Sequence, residues 1–371
     1  MSGHLKKIGI LTFHAAHNYG AVLQCYALQE MLRSMGHIVE VIDYRPGYIE
    51  DAYKLFPDRR RKGQSVSQFV KLMLRDVLLY PVKRIRANKF SSFVRKYLNL
   101  SSPVKGTGIS SNYDVYIVGS DQVWNKSITK SFDKIYFCNF PFEKQDRRYV
   151  SYAASTEQSD ISSEDLSSLN SYLNHFDAIS VREARLADFI KENLNKSVDT
   201  VIDPTLLHGK SFWDKIVESK EDRGDYILLY QARYNAELVK KAEEIAKSMN
   251  CRLIEMSAWT IPLSRMYKDG MSASPLEFID LIRNAKLVLN TSFHGTAFSV
   301  IYGVPFYYVT LSDGWDLRAT SLLNVLNLKS RILSLDECSA DTCWNQLDFS
   351  QAHKILASLQ EQSKQFLLIN I

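Results

Sequence analysis

The chain has 371 residues and a formal net charge of +5, and hydrophobic and charged residues make up 46% and 23% of it. This length predicts two domains, because a single hydrophobic core rarely serves more than about 250 residues. With 15 glycines and 9 prolines, the composition is that of a folded globular protein and excludes a disordered or fibrous chain.

The positive charge is concentrated in one segment. Residues 54–96 contain 13 Lys or Arg and 2 Asp or Glu, a net charge of +11, whereas the remainder contains 33 and 39, a net charge of −6. The basicity is therefore a local feature, and we expect no nucleic-acid partner.

Cysteine usage and hydropathy bear on the cellular compartment. The five cysteines are scattered and form no Cys-x-x-Cys pair, which predicts neither a disulfide framework nor a thiolate zinc site and favours a reducing cytoplasm. The first apolar run is only six residues long, too short for a signal peptide. Residues 287–312 lack charged side chains, but Asn290, Gly303 and Pro305 interrupt them, so no membrane-spanning helix is predicted.

Short apolar runs alternate along the chain with stretches of helical periodicity, as in a parallel α/β fold. In the first half we predict strand 7–12, helix 20–35, strands 38–44, 115–118, 149–153 and 178–181, and helix 183–194. After a polar segment at 218–224 we predict strand 226–230, helix 236–249, strand 252–256, helix 275–284, strand 287–290, helix 296–302 and strand 306–309. The pattern predicts two successive α/β domains with parallel sheets.

We place the first domain at 1–217 and the second at 218–349, with a helix over 350–371 that packs back on the first domain. A basic helical insertion at about 46–110 belongs to the first domain in this division. Residues 54–96 have apolar side chains at helical spacing. They can lie on their own domain, as amphipathic helices usually do, or on a bilayer with anionic headgroups.

The densest group of polar residues is Asn290-Thr-Ser-Phe-His-Gly295, at the joint between a predicted strand and a helix. Backbone N–H groups at a helix start, with the hydroxyls of Ser292 and Thr296, favour a phosphate or a carboxylate, and His294 can supply charge or a proton there. The alternative is that Ser292 only caps the helix and His294 is a buried histidine with satisfied hydrogen bonds.

Two arginines are candidate ligands for an anion. Arg182 follows the predicted strand 178–181, at the edge where open parallel sheets bind ligands, and its guanidinium can grip an anion with two hydrogen bonds. The alternative for Arg182 is an ion pair with Glu183 or Asp188. Arg318 precedes an apolar helical pattern, where it either reaches an anion in a cleft between the domains or is a solvated helix residue.

The loop at 119–125 has the residue types that bind sugars. Asp121, Gln122 and Asn125 are suited to hydroxyl groups, and Trp124 is suited to the face of a sugar ring. The alternative is turn chemistry around one core tryptophan.

The loop after the first strand contains His14 and His17, which are either ligand contacts or solvated loop residues. The sequence lacks Walker A, Gly-x-Gly-x-x-Gly, His-Glu-x-x-His and Gly-x-Ser-x-Gly motifs. Nucleotide hydrolysis, dinucleotide binding, zinc proteolysis and standard serine hydrolysis therefore lack support. The functions that remain combine anion binding with polar loops suited to sugars.

Five segments stand in order along the chain: Asn18-Tyr-Gly-Ala21 with Gln24, Tyr113-Asp-Val-Tyr-Ile-Val-Gly-Ser-Asp-Gln-Val-Trp-Asn125, Ile179-Ser-Val-Arg-Glu183, Asp203-Pro-Thr205 and Ser292-Phe-His-Gly295. Together they resemble the polysaccharide pyruvyl transferases over most of the chain. The resemblance implies a glycosyltransferase-B-like fold, in which two Rossmann-like domains with parallel sheets face each other across a cleft. It also implies transfer of a pyruvyl group from phosphoenolpyruvate to two hydroxyls of a sugar, with release of phosphate.

The resemblance implies roles for single residues as well. His294 matches the family's histidine, and Arg182 matches the arginine of its Ser-Val-Arg segment. We assign His294 as general acid or phosphate ligand and Asp121 as a base. Many members have Arg two positions before that histidine, where this chain has Ser292, so Arg318 is the expected substitute. The expected donor-binding residues are Arg182, Ser292, Gly295, Thr296 and Arg318, and the expected acceptor-binding residues are His14, His17, Asn18, Tyr19, Gln122, Trp124 and Asn125.

We therefore expect a cytoplasmic transferase in surface polysaccharide biosynthesis, with phosphoenolpyruvate as co-substrate and no predicted cofactor or metal. Its acceptor is a sugar or a lipid-linked oligosaccharide, and residues 54–96 are expected to attach it to the inner face of the membrane. Two alternatives stay open: a nucleotide-sugar-dependent glycosyltransferase of the same fold, and a non-catalytic glycolipid-binding protein, for which Ser292 is the only argument. Acceptor-dependent phosphate release from phosphoenolpyruvate would separate all three.

Overall fold

The computed structural model describes residues 5–58, 65–104, 106–156, 161–218, 223–258, 261–311, 316–341 and 347–371. The chain divides into two compact units, each formed from separate stretches of sequence. Unit 1 comprises Met1–Tyr53, Phe93–Leu207 and Ser358–Ile371, and unit 2 comprises Lys54–Ser92 and His208–Ala357.

This division differs from the predicted one. The end of the first domain, predicted at 217, falls at Leu207, and the insertion Lys54–Ser92 belongs to unit 2 rather than to the first domain. The helix of the insertion makes its buried contacts within unit 2, where Arg86 donates hydrogen bonds to two backbone carbonyls. An apolar pattern shows that a helix has a face to bury, but it does not show which domain receives that face.

Eleven strands and twelve α-helices lie within the described residues. Up to the end of the first sheet they are β1 (Lys7–Leu11), α1 (Tyr19–Ser34), β2 (Ile38–Val41), α2 (Gly47–Ala52), α3 (Val66–Tyr97), β3 (Val115–Val118), α4 (Lys126–Thr129), β4 (Arg148–Ala154), α5 (Ser163–Leu173), β5 (Ala178–Val181), α6 (Ala184–Leu194) and β6 (Asp199–Thr200). The others are α7 (Lys210–Asp214), β7 (Tyr226–Gln231), α8 (Ala236–Ser248), β8 (Arg252–Ser257), α9 (Pro275–Arg283), β9 (Leu287–Asn290), α10 (Phe293–Tyr302), β10 (Phe306–Thr310), α11 (Leu317–Val325), β11 (Ile332–Ser334) and α12 (Ser350–Asn370).

Unit 1 contains a six-stranded sheet of order β2-β1-β3-β4-β5-β6, and unit 2 a five-stranded sheet of order β11-β10-β9-β7-β8. Every strand pair in both sheets is parallel. The central strands are short apolar runs, and all four residues of β3 are buried, as expected for parallel sheets covered by helices on both faces. The prediction of two α/β domains with parallel sheets is confirmed.

Parallel strands bring all their carboxyl ends to one edge of the sheet, where ligands usually bind. In unit 1 the loops after β1, β3 and β5 meet at this edge, and in unit 2 the loops after β7, β9 and β10 do so. Among the described residues, no helix combines the length and the apolar character needed to cross a membrane.

Candidate functional site

The chain turns sharply after β3, at the carboxyl edge of the unit 1 sheet. Gly119 has φ +111°, and a Cβ there would lie 2.3 Å from the carbonyl oxygen of Tyr152, so only glycine fits. Asp121 has φ +83°, in the left-handed region that residues other than glycine rarely adopt. Its carbonyl accepts hydrogen bonds from the backbone of Val123 at 2.8 Å and of Ser155 at 3.0 Å. The loop therefore holds Asp121 in a strained but well-determined position.

Three carboxylates surround Arg182, which follows β5. Its Nη1 lies 2.8 Å from Asp203 Oδ2, its Nε lies 3.5 Å from Glu183 Oε1, and its Nη2 lies 3.8 Å from Asp121 Oδ1. We call these four residues the Arg182 cluster. The Asp203 side chain is fully buried, whereas 16% of the Asp121 side chain is exposed. Asp121 is therefore the carboxylate of the cluster most accessible to a ligand.

Asp203 holds this cluster together. Its Oδ1 accepts hydrogen bonds from the backbone N–H of Thr205 at 2.9 Å and from its hydroxyl at 2.7 Å. Its Oδ2 accepts from Arg182 and, at 3.2 Å, from the Ser120 hydroxyl. The Asp203-Pro-Thr205 motif thus fixes both Arg182 and the loop that carries Asp121.

This environment does not favour the predicted role of Arg182 in binding the donor. A guanidinium within 3.8 Å of three carboxylates presents no net positive charge to a phosphate. The ion pair with Glu183, which was the alternative, is present, but it is buried and belongs to a larger cluster.

His14 is fully buried, so it is neither a solvated loop residue nor an exposed ligand contact. Its Nε2 lies 2.8 Å from Asp43 Oδ1 and its Nδ1 lies 3.2 Å from the carbonyl oxygen of Thr12. Burial alone would raise the pKa of Asp43, but hydrogen bonds from His14 and Arg45 outweigh it and lower that pKa to about 2. The expected acceptor contact at His14 is corrected to a structural role in this buried charge network.

Trp124 and Asn125 also require correction. The Trp124 ring is 1% exposed, stacks on Phe137 at 5.4 Å and donates its Nε1–H to the carbonyl of Tyr136 at 2.9 Å. Asn125 is buried and caps α4 by accepting a hydrogen bond from the backbone of Ser127. For Trp124 and Asn125 the alternative of turn chemistry around a core tryptophan applies, because neither side chain faces solvent.

The remaining predicted acceptor residues lie around the start of α1 and beside Asp121. Tyr19 is fully buried and Asn18 caps α1, accepting from the backbone of Ala21 at 3.3 Å. His17 is half-buried against the ring of Tyr53, and Gln122 is buried. Of this group, Asn18 and His17 retain partly accessible side chains, so they stay predictions, whereas Tyr19 is corrected to a core residue.

In unit 2, α10 begins directly after β9. Ser292 is its N-cap, with its hydroxyl 3.5 Å from the backbone nitrogen of Gly295, so the capping role considered for Ser292 is present. His294, in the first turn of this ten-residue helix, is 7% exposed. The positive end of the helix dipole and the His294 ring therefore share one location.

Two of the predicted donor ligands in this segment are structural. The Thr296 hydroxyl is fully buried and donates to Asn290 Oδ1 at 3.1 Å, which also accepts from the backbone of Ser292. A Cβ at Gly295 would lie 3.0 Å from both Asn290 and Tyr230. Gly295 thus allows the close packing of α10 on β9, and the Thr296 hydroxyl is occupied by its hydrogen bond to Asn290.

Two arginines stand near the same edge. The Tyr308 hydroxyl, on β10, donates to Asp316 at 2.7 Å, and Arg318 follows at the start of α11. Burial, then Asp316, raises the pKa of Tyr308, while the positive charges of Arg318 and Arg233 oppose that rise. Arg233 follows β7 and Arg318 lies in the first turn of α11, after β10, so both arginines belong to the carboxyl edge of the unit 2 sheet. We call Arg233, His294 and Arg318 the cationic edge of unit 2.

Sequence reasoning missed Arg233. It lies in the loop between β7 and α8, where the backbone N–H of Ala232 donates to the Thr291 hydroxyl at 3.0 Å. This bond ties the loop after β7 to the loop after β9, which carries His294. An arginine three residues beyond the predicted strand 226–230 was a usable signal, since Arg182 had been singled out directly after the predicted strand 178–181.

Within the described ranges, no group of three or more His, Cys, Asp or Glu side chains is placed to hold a metal ion.

In a comparison with known families, the sequence model of the polysaccharide pyruvyl transferases matches residues 18–313. No match was found among curated proteins.

Several solved structures are similar to this chain at low sequence identity. A crystal structure of a UDP-N-acetylglucosamine 2-epimerase aligns with TM-score 0.52 and 11% identity over 98% of this chain and 94% of that one. The UDP-GlcNAc 2-epimerase of Methanocaldococcus jannaschii has TM-score 0.44 and 14% identity over 96% and 99%. For a mutant O-GlcNAc transferase of Thermobaculum terrenum, TM-score is 0.41 and identity 12%, and the match covers 99% of this chain but 64% of that protein. The first of these shows a shared fold of two α/β domains.

Proposed function

Because this chain belongs to the polysaccharide pyruvyl transferase family, a family of transferases, we propose that it moves a pyruvyl group from phosphoenolpyruvate to two hydroxyls of a sugar. The cationic edge is the observation that carries this proposal. Phosphoenolpyruvate bears a phosphate and a carboxylate, and Arg233, His294 and Arg318 follow three adjacent strands, β7, β9 and β10. Two guanidinium groups and a helix N-terminus are suited to such a donor.

The reaction needs a proton on the methylene carbon of the enol. Protonation there leaves an electron-deficient carbon next to oxygen, which one sugar hydroxyl attacks. The C–O bond to phosphate then breaks, and a second hydroxyl closes the ketal, so one donor and one diol give one ketal and one phosphate. His294 is the acid in this scheme, and a positioned acid contributes about 10²- to 10⁴-fold.

Arg233 and Arg318 stabilise the negative charge of the donor and of the departing phosphate. This assignment also accounts for Ser292, which stands where many family members have arginine. The positive charge that Ser292 lacks is supplied from the loop after β7 and from the start of α11. Ser292 in turn supplies the N-cap of α10, which an arginine side chain cannot do.

In unit 1 we propose that Asp121 accepts the proton of the attacking hydroxyl. Its carboxylate is the most exposed of the Arg182 cluster, and its backbone is held by Val123 and Ser155. The cluster has one cation and three carboxylates and therefore a net negative charge. This charge favours removal of a proton from a hydroxyl and disfavours binding of an anionic donor. Arg182 acts in this scheme as a positioning residue for Asp121.

The test is acceptor-dependent release of inorganic phosphate from phosphoenolpyruvate, with mass spectrometry of candidate sugars and lipid-linked sugars. A product that gains one pyruvyl ketal supports the proposal. A product formed from a nucleotide sugar, with phosphoenolpyruvate inert, contradicts it and identifies a glycosyltransferase.

His294→Gln keeps the size and polarity of the side chain but removes its acid function. We expect kcat to fall by about 10²-fold or more with the fold unchanged by circular dichroism. His353→Gln is the matched control, because His353 contacts the other end of α10 through the carbonyl of Val300 at 2.7 Å. A His294→Gln enzyme as active as this control would remove His294 from the mechanism.

A further inference from the structure

The first two-thirds of α3 have two faces of different character. One face packs within unit 2, where Leu79 and Val82 are buried against Ile261 and Met271. The polar residues on this side are also engaged. Lys83 pairs with the buried Asp76 at 2.8 Å, Lys89 pairs with Glu277 at 2.7 Å, and Arg86 donates to two carbonyls at 2.7 Å. These contacts fix which side of the helix faces outward.

The outward side is apolar. Its six large aliphatic side chains are 46–80% exposed: Val66, Val70, Leu74, Val77, Leu78 and Ile85. Successive members lie four, four, three, one and seven residues apart, which keeps all six on one side of the helix, and we call them the outer stripe of α3. A continuous exposed stripe of this kind is unusual on a soluble monomer and marks an interaction surface.

The charged side chains that are exposed on the described residues of this part of α3 are positive. Lys71 and Arg84 are exposed on α3, and among the residues the structure describes neither of them forms an ion pair. Asp76 is the one acidic residue of α3, and it is buried, facing inward and paired with Lys83. A second copy of this chain docked on the stripe would bring like charges together. An anionic partner is favoured instead.

An aromatic pair borders the stripe. The rings of Phe56 and Tyr80 stack at 5.4 Å with an interplanar angle of 16°, and the two residues are 48% and 38% exposed. Tyrosine is enriched where an apolar layer meets water, because its ring prefers the former and its hydroxyl the latter.

We propose that the outer stripe of α3 docks on the surface of an anionic lipid bilayer. Aliphatic side chains would enter the boundary between headgroups and acyl chains, Lys71 and Arg84 would contact anionic headgroups, and α3 would lie in the plane of the surface. Arg59, Arg60, Arg61 and Lys62, which belong to the basic segment 54–96, lie outside the described residues, and the proposal does not depend on them. It stands independently of the proposed pyruvyl transfer, since it concerns binding and not chemistry.

Cosedimentation of the full chain with phosphatidylcholine vesicles, with and without phosphatidylglycerol, tests the proposal. We expect binding to the anionic vesicles at low salt and its loss at high salt. Lys71→Gln and Arg84→Gln should each reduce partitioning about fivefold, and Leu74→Ser and Leu78→Ser should each reduce it roughly tenfold.

Matched controls separate the stripe from general charge and hydrophobicity. Lys240→Gln and Lys247→Gln remove exposed charges from α8 of the same unit, and Val325→Ser removes an exposed aliphatic side chain from α11. These variants should bind like the wild type. Equal binding to neutral and anionic vesicles, no binding at low salt, or concentration-dependent dimers abolished by Leu74→Ser would overturn the proposal. The readout is independent of activity, so a failed pyruvyl transfer assay would leave it intact.

Discussion

Replacing Arg182 with Met should destabilise unit 1 by about 4 kcal/mol at pH 7. The variant retains most of the side-chain volume but leaves Asp203, fully buried, without the cation that lies at 2.8 Å. Removing one partner of a buried ion pair costs about 3–5 kcal/mol. The variant can avoid a buried unpaired charge by protonating the carboxyl of Asp203. For an aspartate with an ordinary pKa, this protonation costs about 4 kcal/mol at pH 7. Thr205 and Ser120 still donate to Asp203, so the loss should not exceed this figure.

The pH dependence distinguishes this mechanism from lost packing. Protonating a carboxyl costs about 1.4 kcal/mol less for each pH unit below 7, down to about pH 4. The difference in free energy of unfolding between wild type and Arg182→Met should therefore shrink by about 2–3 kcal/mol between pH 7 and about pH 5. Urea unfolding at the two pH values measures it.

Arg33→Met is the matched control, because Arg33 in unit 1 pairs with Glu30 at 3.0 Å on the surface. The free energy of unfolding of Arg33→Met should stay within about 0.5 kcal/mol of the wild-type value at both pH values. A loss at Arg182 no larger than this, or one that does not change with pH, would refute the reasoning. Arg182→Lys adds a catalytic readout: a positioning role predicts a lower kcat with an unchanged KM for phosphoenolpyruvate, and a donor-binding role predicts a raised KM.

Two further predictions concern charge. Arg233→Ala and Arg318→Ala should each raise the KM for phosphoenolpyruvate roughly tenfold or more, because each removes a charged hydrogen-bond donor. Arg252→Ala removes an exposed guanidinium from the same unit and should leave KM unchanged, so an equal effect there would contradict the assignment. Asp43→Asn should cost about 2.5 kcal/mol at pH 7, since the pKa of Asp43 is lowered from 3.8 to about 2. This wild-type advantage is present above about pH 4 and lost as pH falls through about 2, and urea unfolding that shows a constant difference would disprove it.

Strands buried on both faces were predictable because they are apolar runs of four to six residues between turn signals. The predicted strand 178–181 coincides with β5, and 115–118 with β3. The edge strands β6 and β11 were not predicted, since they have two and three residues and none of these is buried. A pattern of burial cannot reveal a strand that is not buried.

The candidate site was predictable in location but less so in role. Motifs at strand ends pointed to Asp121 and Arg182, which lie at the carboxyl edge of the unit 1 sheet, and to His294, which lies at that of unit 2. Their roles in the reaction stay predictions. Whether a side chain faces solvent depends on partners distant in sequence. Trp124 is buried against Phe137 and Phe176, and this could not be inferred from the polar residues beside it.

The motif segments of unit 1 converge on one loop. Gln24 donates to the Thr12 hydroxyl at 2.8 Å, and that hydroxyl donates to the carbonyl of Ser120 at 2.8 Å. From the other side, Asp203 accepts from the Ser120 hydroxyl while it holds Arg182. Three motifs therefore fix the backbone beside Asp121, whose left-handed conformation is unfavourable by itself. Such support would be unnecessary for a surface turn, and it is what a carboxylate needs if it must meet a sugar hydroxyl in one orientation.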